Sequence, residues 1–273
     1  MQASRTWEPP GGTLGRILEE TRRRLPSIER GPAGPAAVAK PAHRRSLLAS
    51  LRGGTEVGVV AEIKRRSPSK GTLNPTLDAS AQAAAFERGG AAAISVLTEP
   101  SFFGGTLDDL RSARAAVRVP VLKKDFHVDV SQLVEALEAE ASAVLLIARA
   151  LSPDDLPKLM AAAHELELET VVEVRTESEL ERAIDAGAQI VGVNSRDLET
   201  LEVDEGVPER LMPMIPAGVV RIWESGVTNV RDVERAAGCG ADAVLVGSAL
   251  SRSQDPVALL KSLCGVPRRR RHD

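Results

Sequence analysis

Val59–Gly71 reads VVAEIKRRSPSKG, an apolar run that carries a carboxylate and an ammonium two residues apart and then breaks into Ser, Pro and Gly. Residues two apart in a strand share a face, so Glu62 and Lys64 point one way while Ala61 and Ile63 point the other. An unlike charge pair on the inner face of a buried strand is costly unless a ligand or partner charge uses it. Taken alone, the stretch reads equally as a strand-end ion pair beside a solvated turn. Its surroundings decide, because other strands of the chain end the same way.

Downstream, apolar runs of strand length recur at Val57–Lys64, Ala92–Leu97, Pro120–Lys124, Ala143–Ile147, Thr170–Val174, Ile190–Asn194, Val219–Ser225 and Ala243–Val246. Helical patterns separate or follow them at Thr76–Arg88, Leu107–Val117, Val130–Glu138, Pro153–Leu166, Glu177–Ala186, Pro208–Met214, Asn229–Ala237 and Pro256–Leu263. Near-continuous aliphatic strands alternating with amphipathic helices predict a parallel sheet covered by helices. Eight such units in 273 residues predict an α/β fold of the closed (β/α)8 TIM-barrel type. SPSKG is not the GxGxxG turn that an open doubly wound sheet would show after its first strand. Upstream, Leu14–Leu25 and Arg44–Leu51 read as two short helices joined by the Pro/Ala/Gly stretch 31–42, after a loose Gly/Pro-rich start. The expected division is an N-terminal extension over residues 1–50, a barrel over 51–265, and a basic disordered tail over 266–273 that holds Arg268–Arg271.

Composition narrows the function classes. Lys and Arg number 35 against 38 Asp and Glu, so a global nucleic-acid binder is disfavoured. No run approaches ~18 uninterrupted apolar residues and no signal-peptide core opens the chain, so membrane spanning and export are not expected. Cys239 and Cys264 lack CxxC spacing and the four histidines are scattered singly, so no metal site is expected and each histidine reads as an ordinary surface or loop residue. A reducing, cytoplasmic setting follows. With no Tyr, four Phe and two Trp, the core must be aliphatic and alanine-rich.

In closed parallel barrels chemistry sits at the C-terminal strand ends. Those ends carry Glu62 and Lys64, Lys124-Asp125-Phe126, Glu173, Asn194-Ser195-Arg196-Asp197, Glu224-Ser225-Gly226 and Gly247-Ser248. Acid, base and anion-binding types thus converge on one rim. The Gly/Ser turns after the last two strands, at Ser225-Gly226 and Gly247-Ser248, offer backbone N–H groups to a phosphate. Of the neighbours Lys123 and Lys124, only one can face the lumen, and Lys124 at the strand tip is expected inside; with Glu62 or Glu173 nearby it would stay protonated and could act as a general acid. Glu173 is a candidate base or a counter-ion for Lys64. In the loop LTEPSFFGG (Leu97–Gly105), Phe103 beside the glycines reads as the wall of an aromatic pocket with Phe126, while Phe102 reads as either wall or core plug.

The ordered set EIKRRSPSKG, SVLTEPSFFGG, PVLKKDF, VVEV, GVNSRDLETLEV, ESGV and VLVGSAL resembles the indole-3-glycerol phosphate synthase family over about residues 14–263. The resemblance implies a (β/α)8 barrel whose N-terminal segment lies over the active face. It implies conversion of 1-(2-carboxyphenylamino)-1-deoxyribulose 5-phosphate to indole-3-glycerol phosphate, with loss of carbon dioxide and water and no cofactor. By motif, Lys124 would be the general acid of ring closure, Glu173 the residue for proton removal in dehydration, and Lys64 a partner of substrate anions and a second acid. Glu62 and Asn194 would orient these groups and the ribulose hydroxyls. Arg196 and Ser67 would meet carboxylate or phosphate; Glu224 would contact substrate; Ser225, Gly226, Gly247 and Ser248 would hold phosphate; Phe103 and Phe126 would pack on the anthranilate ring. His127 after KDF and Trp223 before ESG depart from that family's usual pattern, as does the lack of a tyrosine after KDF. The implied partner is a small phosphorylated substrate, with no nucleic acid or membrane, and the chain is expected to be a monomer. The nearest enzyme alternative, phosphoribosylanthranilate isomerase, resembles a Cys/Asp acid–base scheme that the late cysteines do not match. A catalytically silent barrel would have lost a charged rim residue, and none is lost.

Overall fold

The computed structural model describes residues 7–25 and 45–269. Eight parallel strands close on themselves: β1 Gly58–Ile63, β2 Ala93–Leu97, β3 Val121–Lys124, β4 Ala143–Ile147, β5 Glu169–Val174, β6 Ile190–Asn194, β7 Val220–Glu224 and β8 Ala243–Val246, with β8 pairing back onto β1. The expected strands match to within two residues at either end. Between and after them run α3 Ala79–Arg88, α4 Pro100–Phe103, α5 Leu107–Ala116, α6 Val130–Glu138, α7 Asp155–Glu165, α8 Glu177–Asp185, α9 Gly206–Leu211, α10 Val230–Gly238, α11 Ser248–Arg252 and α12 Pro256–Leu263; α1 Gly12–Arg24 and α2 Leu47–Arg52 precede β1.

Strand parity separates two cores. Val59, Ala61 and Ile63 point outward to the helices, whereas Val60 points into the lumen with Leu122, Leu145, Val171, Ile190 and Ile222. Alanines Ala83, Ala113, Ala136, Ala163, Ala183 and Ala236, one from each of six helices, are fully buried in the outer layer. Their small side chains let helix axes approach the sheet closely, which is how a barrel forms with so few aromatics. Side-chain caps fix where several helices begin: Asp78, Thr106 and Thr176 each accept a backbone N–H of the first turn, and Asp129 and Asn229 complete capping boxes. The cap at Asp78 explains why α3 starts at Ala79 rather than Thr76. The helix expected from Pro153 starts at Asp155, with Ser152 hydrogen-bonding the Asp155 N–H and Pro153 lying in the preceding turn.

The two N-terminal helices serve opposite ends of the barrel. Leu14, Ile17 and Leu18 of α1 close over the C-terminal mouth, where the Glu199 carbonyl accepts the Thr13 N–H at 3.0 Å. The start expected to be loose is pinned from residue 7: Trp7 Nε1 bonds the Arg149 carbonyl, Arg149 bonds the Glu8 carbonyl, and Glu199 accepts the Gly11 N–H. Leu47 and Leu51 of α2 plug the other end; there Glu169, at the start of β5, accepts the Leu48 N–H and the Ser46 hydroxyl. Residues 31–42 and Arg44 lie outside the described residues.

Two further expectations are corrected. The tail expected to be disordered from 266 is ordered through 269: Val266 is buried and accepts the Val57 N–H, and the Arg268 guanidinium bonds the carbonyls of Leu51, Arg52 and Glu56 and pairs with Asp242. Residues 270–273 lie outside the described residues. His127 does stand in a loop, the one after β3, but it is no surface histidine: it is fully buried, its Nδ1 2.7 Å from the Leu145 carbonyl.

Candidate functional site

The lumen is apolar at its lower levels and charged at the top because the strands' inward parity carries on from Val60 to Glu62 and Lys64, from Leu122 to Lys124, from Val171 to Glu173 and from Ile222 to Glu224. Glu62, Lys124, Glu173 and Glu224 come from β1, β3, β5 and β7, and alternate strands of such a barrel supply one layer of four side chains. The intervening strands make room for them. A Cβ at Gly192 on β6 would collide with the Glu224 carboxylate, and one at Gly247 after β8 would collide with that of Glu62. From the sequence Gly247 reads only as part of a phosphate turn and Gly192 carries no role; the signal for this second use is a glycine at an inward position of a buried strand, which marks a close approach.

Lys124 Nζ lies 3.0 Å from Glu173 and 3.3 Å from Glu224. Burial would lower its pKa, but Glu173, Glu224 and Glu62 together raise it above the ordinary lysine value, so it stays charged. Burial likewise works to raise Glu173, yet Lys124 and the hydrogen bond from Asn194 Nδ2 at 3.0 Å prevail and hold it below the usual carboxylate range. Glu224 differs. Burial, reinforced by the charge of Glu173, outweighs Lys124 and pushes its carboxyl up to about 8. Two carboxylates sharing one ammonium thus divide into an ionised and a neutral partner. Lys64 pairs with Glu62 at 2.6 Å, and Glu173 is the counter-ion of Lys124 rather than of Lys64. Lys123 points outward, as its parity requires, and bonds the Gln132 carbonyl and Glu135 on α6.

Above this floor is a cavity of about 440 Å³ that brings together all fourteen residues to which the family resemblance gives a role, from Glu62 and Lys64 to Gly247 and Ser248. On one side the Phe103 and Phe126 rings lie 5.9 Å apart and tilted by 34°. Phe103 is carried by α4, a single turn inside the expected loop, because the buried Glu99 carboxylate accepts the N–H groups of Ser101, Phe102 and Phe103 and Gly104 ends the turn at φ +67°. Phe102 packs against the inner core from a half-buried position. Opposite, Ser225 (φ +69°) and Gly226 (φ +83°) form one turn, and Gly247 and Ser248 open α11. SPSKG folds back as a hairpin pairing Arg66–Ser67 with Gly71–Thr72, which brings Ser67 and Lys70 to the wall. The Ser67 hydroxyl is buried with no hydrogen-bond partner among the described residues. Arg196 reaches the cavity but spends one N–H on the Leu201 carbonyl, while its backbone N–H bonds Asn194 Oδ1. Burial, then Arg252, Arg196 and Lys64, lower the Lys70 pKa, so this lysine stands in a positive field suited to an anion.

The family model for indole-3-glycerol phosphate synthase matches residues 14–263, nearly the whole chain. The chain belongs to the indole-3-glycerol phosphate synthase family. Relatives bearing that name include one from Mycobacterium leprae, 48% identical over 93% of this chain and 94% of its own length. Another, the first such synthase of Streptomyces coelicolor, is 50% identical over 84% of each chain. Among solved structures, the N-acetylmannosamine-6-phosphate 2-epimerase of Clostridium perfringens superposes with a TM-score of 0.60 at 18% identity, over 79% of this chain and 95% of its own. The thiamine phosphate pyrophosphorylase of Pyrococcus furiosus does so with 0.58 at 16%, over 80% and 96%. These two share the fold.

For a member of the indole-3-glycerol phosphate synthase family, the cavity also holds residues that sequence reading missed. Lys70 sits inside EIKRRSPSKG itself, but its loop has no periodicity from which to orient it. Ile17 of α1 and Leu198 after β6 add apolar wall, and neither carries a chemical signature in the sequence.

Proposed function

We propose that the chain closes the indole ring of indole-3-glycerol phosphate, taking 1-(2-carboxyphenylamino)-1-deoxyribulose 5-phosphate and releasing carbon dioxide and water. The observation that carries this reading is the placing of Lys124: a charged ammonium set between an ionised and a neutral carboxyl, on the floor of a cavity walled by two phenylalanine rings. Phe103 and Phe126 would hold the anthranilate ring against the ribulose carbonyl. As the ring carbon attacks, the carbonyl oxygen becomes an alkoxide, and Lys124 is the acid within reach. Its raised pKa means that it yields the proton only to a base as strong as that alkoxide. Loss of carbon dioxide restores the ring. Glu173, ionised and held by Asn194, is placed to take the proton whose removal lets hydroxide leave as water, with Lys64 as second acid.

Glu62 holds Lys64, and neutral Glu224 is placed to hydrogen-bond a ribulose hydroxyl. The turns at Ser225-Gly226 and Gly247-Ser248 suit the phosphate; Lys70, Arg196 and Ser67 suit the remaining anion. Every step is acid–base chemistry and asks for no redox cofactor or metal. We further propose that the protein is cytoplasmic and works as a monomer; no described helix is long and apolar enough to cross a membrane. The test mixes purified protein with the carboxyphenylamino-deoxyribulose phosphate and follows indole absorbance beside Lys124→Ala. Indole formation in the parent and near-total loss in the variant is the expected result; an active variant refutes the acid assignment.

A further inference from the structure

Trp223 faces away from the lumen, buried in the outer core between inward-pointing Ile222 and Glu224, yet its indole Nε1 donates a 3.2 Å hydrogen bond to the Ser225 carbonyl at the cavity's edge. The preceding carbonyl, that of Glu224, is held separately by the N–H and hydroxyl of Ser195. Ser225 therefore sits with two successive carbonyls fixed, in a left-handed conformation that a non-glycine residue keeps only where its surroundings impose it. In a trans peptide the C=O and the N–H point opposite ways. Drawing the Ser225 carbonyl outward onto the indole turns the Gly226 N–H toward the cavity that Gly226 lines, and that N–H makes no hydrogen bond among the described residues.

A second layer lies behind the indole. The Arg235 guanidinium of α10 stands 5.7 Å from the Trp223 ring centroid and pairs with both Glu205 and Glu209. Glu205 comes close to the turn, its Oε1 3.7 Å from where a Cβ on Gly226 would be. Arg235 therefore both flanks the indole and offsets the negative charge of Glu205 beside the turn.

We infer that Trp223 is a positioning residue for phosphate: by holding the Ser225 carbonyl outward it presents the Gly226 N–H as an anion donor, with Arg235 shielding that donor from Glu205. This rests on the phosphate site proposed above. The test compares the parent with Trp223→Phe, which keeps a buried aromatic ring but removes the N–H together with part of the ring system, and with Arg235→Met, at an exposed position on α10. Binding of glycerol 3-phosphate is measured by calorimetry, and kcat and KM by indole formation. Trp223→Phe should weaken glycerol 3-phosphate and raise KM by the same factor, about five-fold for one hydrogen bond, with kcat within about two-fold of the parent. Arg235→Met should weaken the probe about two-fold, more at low salt than at high salt. The inference is overturned if the parent does not bind the probe, or if folded Trp223→Phe binds it as the parent does. It is overturned as well if Trp223→Phe does not fold and Arg235→Met binds as the parent does. A parent that binds the probe, is weakened by the two variants as stated and forms no indole would sink the reaction and leave the inference standing.

Discussion

Lys124 and Glu173, 49 residues apart in the chain, meet as a 3.0 Å ion pair because β3 and β5 send their inward tips to the same layer of the barrel. Removing the cation has two separable effects. Lys124→Met should lower kcat on the order of 10²- to 10⁴-fold, the usual worth of a positioned general acid. It also leaves Glu173 without its counter-charge. That cost is large while the carboxylates are ionised and falls as they take up protons, so the melting-temperature deficit of the variant should be greater at pH 8 than at pH 5. A deficit equal at both values would mean that the ammonium is not the charge they lean on.

Glu224 should give the fold a stability that fades toward alkaline pH. Its carboxyl is raised to about 8 in the fold, so between the ordinary carboxylate range and that value the native state binds a proton that the unfolded chain does not. Stability on this account is complete in acid and is lost as pH rises toward 8, with a limiting slope of about 1.4 kcal/mol per pH unit. Glu224→Gln mimics the neutral carboxyl and should flatten that decline in denaturant titrations from pH 5 to 9. An unchanged slope would show that Glu224 is already ionised at neutral pH.

His127 acts at the other end of the scale. Burial, then the charge of Lys123, push it down to about 3 against the pull of Asp125 and the Leu145 carbonyl. The unfolded histidine charges near pH 6.5 and the folded one does not, so stability should fall as pH drops from about 6.5 toward 3. Asp125, held low by Lys123, His127 and Thr98 in spite of its burial, loses its own contribution at the acid end of that range. His127→Leu should be no more stable at pH 7, since the Leu145 carbonyl loses its donor, but its acid decline should be shallower. Urea midpoints at pH 7, 6, 5 and 4 decide this.

Gly192→Ala tests the hole that admits Glu224. The added methyl would displace the Glu224 carboxylate from its place over β6, and misplacement of a site group by about 1 Å can cost on the order of 10² in rate. Secondary structure should be retained while kcat falls by about that factor. Adding Glu224→Asp, one methylene shorter, should recover part of the loss; strictly additive losses in the double-mutant cycle would remove the steric account.

Much of this architecture was legible in the chain, for a physical reason. Parallel strands buried on both faces are continuous aliphatic runs, so β1 to β8 stand out, and a period of two then assigns Glu62, Lys64, Lys124 and Glu173 to the lumen. Pairings were not legible. Whether Glu173 answers Lys64 or Lys124 depends on which strands share a layer after closure, a relation between residues far apart in sequence. Local composition also misled at both termini: a Gly/Pro-rich start and an arginine run read as loose, whereas carbonyls and carboxylates elsewhere in the barrel bind Gly11, Trp7 and Arg268. His127 has no apolar signature of its own, and its burial follows from the loop that carries Phe126 into the mouth.

The charged groups Lys124, Glu173 and Glu224 stand on strands, whereas Phe103, Phe126 and Leu198 are mounted on the connections above them. Redesign can exploit that separation: the slot proposed for the aromatic moiety is open to reshaping, toward halogenated or fused-ring analogues, by exchange of connecting segments alone, while the strand-borne charges beneath keep their registry.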